Sequence, residues 1–298
     1  MLINITERCD IKTIKPFVYH NPKSIMDAAS LLTRYENKVK IIAGGTDLMV
    51  MMKDRVLAPE NIVNIKSITG LDQIFWDEKE GLNIGALTKI SHIVSSDIIG
   101  EKCPPLQKSA EVLGSPQVRN MATIGGNICR SSPSGDTIPP LMVYSARLKL
   151  ISIDGEREVP IEEFFTGPGT NVINNEILTE IIIPPVIGTC GTAFGKISRV
   201  SEDLAKVNCA VKINLSNNKC SEARVVLGAV AATPVRAKNV EQALEGHEIT
   251  DRLLEKAAEK IDVDITPIDD VRSSAEYRYR AGRVLISRLL KEAAGNAR

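Results

Sequence analysis

The chain has 298 residues, of which 43% are hydrophobic and 25% charged, a composition typical of a soluble globular protein and not of a disordered or fibrous one. This length favours two or three domains over one. Its 37 Lys and Arg residues balance 37 Asp and Glu residues, so no overall positive field would draw it to nucleic acid or to an anionic membrane.

The first part of the chain combines a helix with a buried strand. Residues 24–35 carry apolar side chains at helical spacing after Ser24, a possible N-cap, and residues 39–43 form an apolar run typical of a buried strand. A cluster of charges followed by Pro59 favours a domain boundary near residue 57. We therefore expect an N-terminal α/β unit over residues 1–57.

A second α/β unit is expected over residues 58–176. Its predicted elements are strands at residues 62–65 and 82–86, a helix at 106–113 and a strand at 148–153. Gly114 ends the helix, and Asp154-Gly155 is a hairpin turn signal after the last strand.

The final third of the chain changes character. The predicted elements are strands at residues 177–183, 193–197, 209–215 and 223–230, followed by helices that begin near Thr250 and Ser273. Strands followed by helices are typical of an α+β unit. We therefore expect a third unit over residues 177–298 and an α+β protein as a whole.

Two segments place a glycine pair directly before or within a predicted turn. Gly44-Gly45 follows an apolar strand, and Gly125-Gly126 stands in a similar context. Adjacent glycines adopt positive φ without steric cost and let the backbone approach a ligand, so that successive N–H groups can converge on an anion. Two such turns facing each other would suit the two phosphates of a dinucleotide, whereas an ordinary tight turn is the alternative for either one alone.

Membrane, targeting, metal and nucleophile signals are missing. Residues 181–195 are uncharged but broken by Pro and Gly, and fall short of the roughly 18–20 apolar residues of a bilayer span. The first 15 residues carry charge where a signal peptide is apolar, so a cytoplasmic protein is predicted. No CxxC, HExxH, GxGxxG, P-loop or GxSxG motif occurs; neither a metal site nor a catalytic nucleophile is expected here.

An ordered set of motifs covers nearly the whole chain. The motifs are at residues 42–48, 114–128, 132–136, 164–169, 176–181, 193–199, 203–207 and 271–278. In this order they closely resemble the FAD-binding subunit of the xanthine dehydrogenase type of molybdenum hydroxylases, a family that includes carbon monoxide dehydrogenase flavoproteins.

The resemblance implies a fold, a cofactor and partners. Two N-terminal α/β subdomains would clamp FAD, as in the PCMH-type FAD-binding fold, and a C-terminal antiparallel sheet with helices would cover the flavin end. A large subunit would hold molybdopterin and a small subunit [2Fe-2S] clusters, and this chain would pass electrons to NAD or another acceptor. A purine (xanthine) dehydrogenase is the preferred interpretation. The alternatives are the flavin subunit of a carbon monoxide dehydrogenase or other heterocycle hydroxylase, and a stand-alone flavin oxidoreductase.

The resemblance also assigns site residues by position. The residues expected at the FAD pyrophosphate are Ile41, Ile42, Ala43, Gly44, Gly45, Thr46, Asp47, Leu48, Thr123, Ile124, Gly125, Gly126 and Asn127. FAD would be bound without a covalent bond, since no histidine lies beside either turn. The cofactor carries the redox chemistry, so no catalytic acid, base or nucleophile is expected.

Further residues are assigned to the flavin end. Asp136 would anchor the cofactor, and Leu113, Leu178 and Lys196 would lie near the ring. Leu113 replaces an aromatic residue of some relatives, and Lys196 stands one position after their lysine, a shift that reverses its face on a strand. Arg199 and Asp203 would lie on the electron-acceptor side. The alternatives are a solvated turn for Asp136, core packing for Leu178, and a solvated loop for Arg199 and Asp203.

Overall fold

The computed structural model describes residues 14–217 and 219–297. Within them the strands form a three-stranded, a five-stranded and a four-stranded sheet and one two-stranded ribbon. The first 13 residues of the predicted N-terminal unit lie outside the described part.

The first sheet is small and parallel, with strand order β1-β3-β2. Its elements are β1 (Val18–His20), α1 (Ile25–Tyr35), a 3-10 turn (Glu36–Lys38), β2 (Val39–Ile42), α2 (Leu48–Lys53) and β3 (Asn61–Asn64). The predicted helix is confirmed: Ser24 caps α1 by accepting the Asp27 N–H at 3.0 Å. The strand β3 lies after the predicted boundary near residue 57 and pairs with both strands of this first sheet.

The second unit has an antiparallel sheet with strand order β4-β5-β10-β6-β7. Its elements are β4 (Ile74–Asp77), β5 (Gly81–Gly85), α3 (Ile90–Val94), α4 (Asp97–Lys102), α5 (Pro104–Glu111), α6 (Pro116–Arg119), α7 (Ile124–Arg130), α8 (Ile138–Val143), β6 (Arg147–Ser152), β7 (Gly155–Pro160), α9 (Ile161–Phe164), β8 (Phe165–Gly167), β9 (Thr170–Asn171) and β10 (Ile177–Ile183). The predicted hairpin is confirmed by the pairing of Ser152 with Gly155 between β6 and β7.

The strand β10 is the central strand of this second sheet. It pairs antiparallel with β5 on one side and with β6 on the other, and all its side chains except that of Glu180 are buried. The change in sequence character near residue 176 had favoured this strand as the start of the third unit. Its pairing partners in the second sheet lie far away in the chain, and local periodicity carries no information about them.

The third unit has the expected antiparallel sheet covered by helices. Its elements are β11 (Thr189–Ile197), β12 (Val207–Ser216), β13 (Lys219–Gly228), β14 (Val235–Arg236), α10 (Lys238–Leu244), α11 (Asp251–Ala258), a 3-10 turn (Glu259–Val263) and α12 (Ala275–Asn296). The strands follow the order β11-β12-β13-β14. The helix α12 packs on β11 so closely that a Cβ on Gly191 would overlap the Ala293 carbonyl oxygen.

The two faces of the third sheet pack on different partners. On β12, Cys209, Val211 and Ile213 join the core under the helices α10 to α12, whereas Ala210 joins the core of the second unit. Side chains alternate between the faces of a strand, so this sheet connects the C-terminal helices to the second unit. The candidate site combines the turn after β2 of the first sheet with helices and turns of the second unit.

Candidate functional site

The first glycine turn connects β2 to α2 and carries a run of free donors. Gly45 has a φ of 77°, in the left-handed region that favours glycine. The N–H groups of residues 44–48 have no acceptor among the described residues, and Asp47 makes no side-chain cap at the start of α2. Five successive unpaired N–H groups at a helix start are suited to an anion.

The second glycine turn forms the first turn of α7, and its N–H groups are already paired. Gly125 donates to the Ala86 carbonyl at 2.9 Å, Ile124 to the Thr88 carbonyl at 3.0 Å, and Gly126 to the Thr123 hydroxyl at 3.1 Å. This differs from the prediction that both turns offer free N–H donors. The reason is that the Ala86 and Thr88 carbonyls and the Thr123 side-chain cap satisfy these donors within the protein.

The first glycine turn lies against the residues just before the second, and close packing requires glycine at both Gly44 and Gly125. A Cβ on Gly44 would overlap the Met121 carbonyl oxygen and lie 2.9 Å from the Ala122 Cα atom. A Cβ on Gly125 would lie 2.7 Å from the Ala86 carbonyl oxygen. The structure therefore brings the predicted turns at residues 41–48 and 123–127 together, as expected.

Polar side chains tie these turns to their surroundings. Arg130 at the end of α7 forms an ion pair with Asp47 of the first turn at 3.6 Å, with both side chains well exposed. The Thr137 hydroxyl donates to the side-chain oxygen of Asn127 at 2.7 Å, which joins α7 to the start of α8. Arg130 was not among the predicted site residues, since no local signal connects it with a turn so far away in the chain.

Asp136 and Lys196 form a buried ion pair between the second and third units. The Lys196 ammonium lies 2.8 Å from the Asp136 carboxylate, and the two side chains are 4% and 6% exposed. Lys196 also donates to the Val112 carbonyl at 2.9 Å, and the Asn208 amide donates to the other Asp136 oxygen at 2.8 Å. Burial raises the pKa of Asp136, and the Lys196 charge and the two hydrogen bonds oppose that rise.

The chain next to this ion pair forms a turn between α5 and α6. Leu113 in this turn is partly buried against the core of the second unit, and Gly114 has a φ of 52°. The Arg119 guanidinium donates to the Leu113 carbonyl at 3.2 Å and to the Gly114 carbonyl at 2.6 Å. The predicted residues Leu113, Asp136 and Lys196 therefore lie in one cluster around this turn.

The remaining predicted residues lie elsewhere. Leu178 on β10 is 4% exposed and belongs to the core of the second unit. Arg199 and Asp203 lie in the loop after β11, where they form an ion pair with each other at 2.9 Å; the Arg199 side chain is 79% exposed.

No metal-binding cluster or membrane-spanning helix occurs among the described residues. Within residues 14–217 and 219–297, no three His, Cys, Asp or Glu side chains are arranged to hold a metal ion. None of the helices in the same ranges combines the length and apolar character of a bilayer span. The cytoplasmic location stays a prediction. Burial raises the pKa of the Cys129 thiol in α7 to about 12, so this nearby thiol is neutral and weakly nucleophilic.

Comparison with known families defines the class of protein. Residues 13–186 match the family of the FAD binding domain in molybdopterin dehydrogenase, and residues 192–293 match the CO dehydrogenase flavoprotein C-terminal domain. The first matched region ends between β10 and β11, and the second begins within β11. The class is therefore that of an FAD-binding flavoprotein, and the unpaired N–H groups of the first turn fit the pyrophosphate of that cofactor.

Full-length relatives narrow the class. The chain is 32% identical to the xanthine dehydrogenase FAD-binding subunit of Escherichia coli O157:H7, covering 94% of this chain and 96% of that subunit. It is 33% identical to the carbon monoxide dehydrogenase medium chain of Hydrogenophaga pseudoflava, covering 93% and 96%. A solved structure of carbon monoxide dehydrogenase from Hydrogenophaga pseudoflava superposes with a TM-score of 0.92 at 33% identity over 95% of this chain and 99% of that one. The chain belongs to the FAD-binding medium subunits of the xanthine dehydrogenase and carbon monoxide dehydrogenase family.

Proposed function

We propose that this chain is the electron-transfer subunit of a molybdenum hydroxylase complex. It would accept electrons from the [2Fe-2S] clusters of a small subunit, while a large subunit holds molybdopterin, and pass them to NAD or another acceptor. The observation that supports this proposal most directly is the run of unpaired N–H groups at residues 44–48, set against a second glycine turn.

The two turns would have different tasks in holding FAD. The N–H groups of the first turn would donate to the pyrophosphate, and Gly44 lets this turn lie close to the second. The second turn would contribute the positive end of α7 and a rigid backing, because its own N–H groups are paired. FAD, when bound, supplies the electron-transfer chemistry. The chain then has to position the cofactor and exclude water, without an acid or base of its own.

The flavin end of the cofactor is proposed to lie toward the third unit. The clustering of Leu113, Asp136 and Lys196 around one turn supports this direction. Leu113 would present an aliphatic wall, whereas Asp136 and Lys196 would act through their ion pair. Leu178 would support the site from the core beneath it.

The substrate of the complex is proposed to be a purine such as xanthine. The alternative is carbon monoxide, which the similarity to carbon monoxide dehydrogenase structures favours. Both candidate substrates can be tested on the whole complex, purified anaerobically. Xanthine and carbon monoxide are added separately, and bleaching of the flavin absorbance shows which of them reduces the flavin. Bleaching by xanthine and reoxidation by NAD would support the proposal; bleaching by carbon monoxide alone would replace it. A complex that contains no FAD, no molybdenum and no iron would contradict the proposed electron-transfer function.

The flavin is expected to be bound without a covalent bond. No histidine lies beside either glycine turn, and burial raises the pKa of the Cys129 thiol near the second turn to about 12, which disfavours the thiolate that a covalent link to sulfur needs. Acid precipitation should release the yellow colour into the supernatant. Flavin retained in the washed pellet would contradict this prediction.

Removal of either charge of the Arg199–Asp203 pair is expected to change reoxidation but not flavin content. The pair is exposed, so Arg199→Ala and Asp203→Ala should change the rate only about two- to five-fold, through a screened Coulomb interaction with the reduced flavin. Stopped-flow reoxidation by NAD and by an artificial dye measures this, with flavin quantified on the same samples. Lys291→Ala, which removes another exposed ion pair, that with Glu255, is the control. Unchanged rates in both variants would leave the pair as a solvated loop contact.

A further inference from the structure

Three successive carbonyl groups in the turn between α5 and α6 are held by two cations. The Val112 carbonyl accepts from Lys196 at 2.9 Å, and the Leu113 and Gly114 carbonyls accept from the single guanidinium of Arg119 at 3.2 and 2.6 Å. Hydrogen bonds from charged donors are stronger than those between neutral groups. This turn is therefore fixed by side chains from a distant strand and from the next helix.

The segment that begins with this turn connects both parts of the proposed site. At one end Lys196 links it to Asp136 and thus to the third unit. At the other end, directly after α6, the backbone at Met121 and Ala122 touches Gly44 of the first glycine turn. Arg119 lies in the middle of this path. Arg119 therefore connects the turn after α5 with the place where the two glycine turns meet.

We propose that Arg119 and Lys196 are positioning residues that fix the Val112–Gly114 turn as a wall of the FAD site. This inference rests on the proposed function. Neither residue needs to touch the cofactor, because each acts through the backbone that it holds.

The Gly114 N–H is a hydrogen-bond donor that this turn can offer to a ligand. In a trans peptide the C=O and N–H groups point to opposite sides, so the Gly114 N–H points away from the Leu113 carbonyl that Arg119 binds. This N–H has no acceptor among the described residues. Without Arg119 the peptide is free to rotate, and both the wall and the donor lose their fixed direction.

A substitution of Arg119 tests the proposal more directly than a substitution of Lys196. Arg119 is only partly buried, and within residues 14–217 and 219–297 the hydrogen bonds of its side chain go to the two carbonyls alone. Arg119→Gln therefore removes the contact without exposing a buried opposite charge, whereas a Lys196 variant would leave Asp136 unpaired. Arg119→Lys keeps the charge and is the rescue variant. Arg288→Gln, on the exposed face of α12, is the matched control.

Hydrogen exchange of the full-length chain, with and without FAD, tests the proposal. In the unaltered chain, FAD should slow exchange both at residues 43–48 and at residues 112–117. In Arg119→Gln, exchange at 112–117 without FAD should be roughly 10- to 100-fold faster, because the two hydrogen bonds from the charged guanidinium to this turn are lost. The FAD dissociation constant should rise and the visible spectrum of the bound flavin should shift, with recovery in Arg119→Lys and no change in Arg288→Gln.

The outcomes separate this proposal from the function on which it rests. If FAD slows exchange at residues 43–48 but not at 112–117, the cofactor site stands and the positioning role is wrong. The same holds if Arg119→Gln matches Arg288→Gln in exchange, affinity and spectrum. If the unaltered chain binds no FAD, both proposals are overturned.

Discussion

Gly44→Ala is expected to weaken FAD binding by roughly 5- to 150-fold, equivalent to about 1–3 kcal/mol of overpacking. The new Cβ would overlap the Met121 carbonyl oxygen, and a backbone atom cannot rotate out of the way as a side chain can. The first turn would have to move away from the second, and its unpaired N–H groups would no longer converge. Titration of the flavin-free chain with FAD, followed by flavin fluorescence, measures the change.

Other glycines provide the controls for this experiment. Gly295→Ala in α12 adds a Cβ with nothing within 4 Å, so it should bind FAD like the unaltered chain. Gly45→Val and Gly125→Val should behave like Gly44→Ala, the first because of its φ of 77° and the second because of the nearby Ala86 backbone. Full FAD affinity in all three site variants would rule out the two-turn site.

Lys196→Met is expected to destabilise the chain by about 3–5 kcal/mol, the cost of leaving a buried charge without its partner. Asp136 would stay buried next to Asn208 alone. Domains are stable by only about 5–15 kcal/mol, so much of the unfolding free energy would be lost. Urea denaturation followed by circular dichroism gives the change in midpoint.

The pH dependence and a double variant identify the cause. Burial raises the pKa of Asp136, and without Lys196 that pKa should rise further. A raised pKa in the folded state favours the protonated form, so Lys196→Met should be least destabilised at low pH and lose stability as the pH rises through this pKa. Lys196→Met combined with Asp136→Leu should recover much of the loss at neutral pH. Equal destabilisation in the single and double variants would show that packing, not charge, is responsible.

Local sequence signals predicted most of the elements that build the site. Ser24 and the apolar spacing after it predicted α1, and the turn at Asp154-Gly155 predicted the β6–β7 hairpin; both are confirmed. The glycine pairs predicted two turns that meet, and the close packing at Gly44 bears this out. Such signals depend on neighbours within a few residues, where steric and capping rules apply.

Long-range pairings were not predictable in the same way. Asp136 and Lys196 were both singled out as separate neighbours of the cofactor, but their ion pair joins positions 60 residues apart. Arg119 lies in the motif at residues 114–128 but was assigned no role, because an arginine in a short helix is ordinary until its acceptors are known. The pairing of the second-turn N–H groups depends on Ala86, which no motif connects with Gly125.

Because β10 is the central strand of the second sheet, this sheet can be completed only after β10 has been synthesised. The hairpins β4–β5 and β6–β7 emerge from the ribosome before β10, and each presents an unpaired edge until β10 inserts between them. Thr179 of β10 accepts the Ala86 N–H at 2.9 Å, and Ala86 in turn accepts the Gly125 N–H. The backing of the second glycine turn is thus completed only when β10 is in place. The second glycine turn therefore cannot serve the proposed FAD site before β10 has been synthesised, and until then the edges of β5 and β6 are open to pairing with other strands.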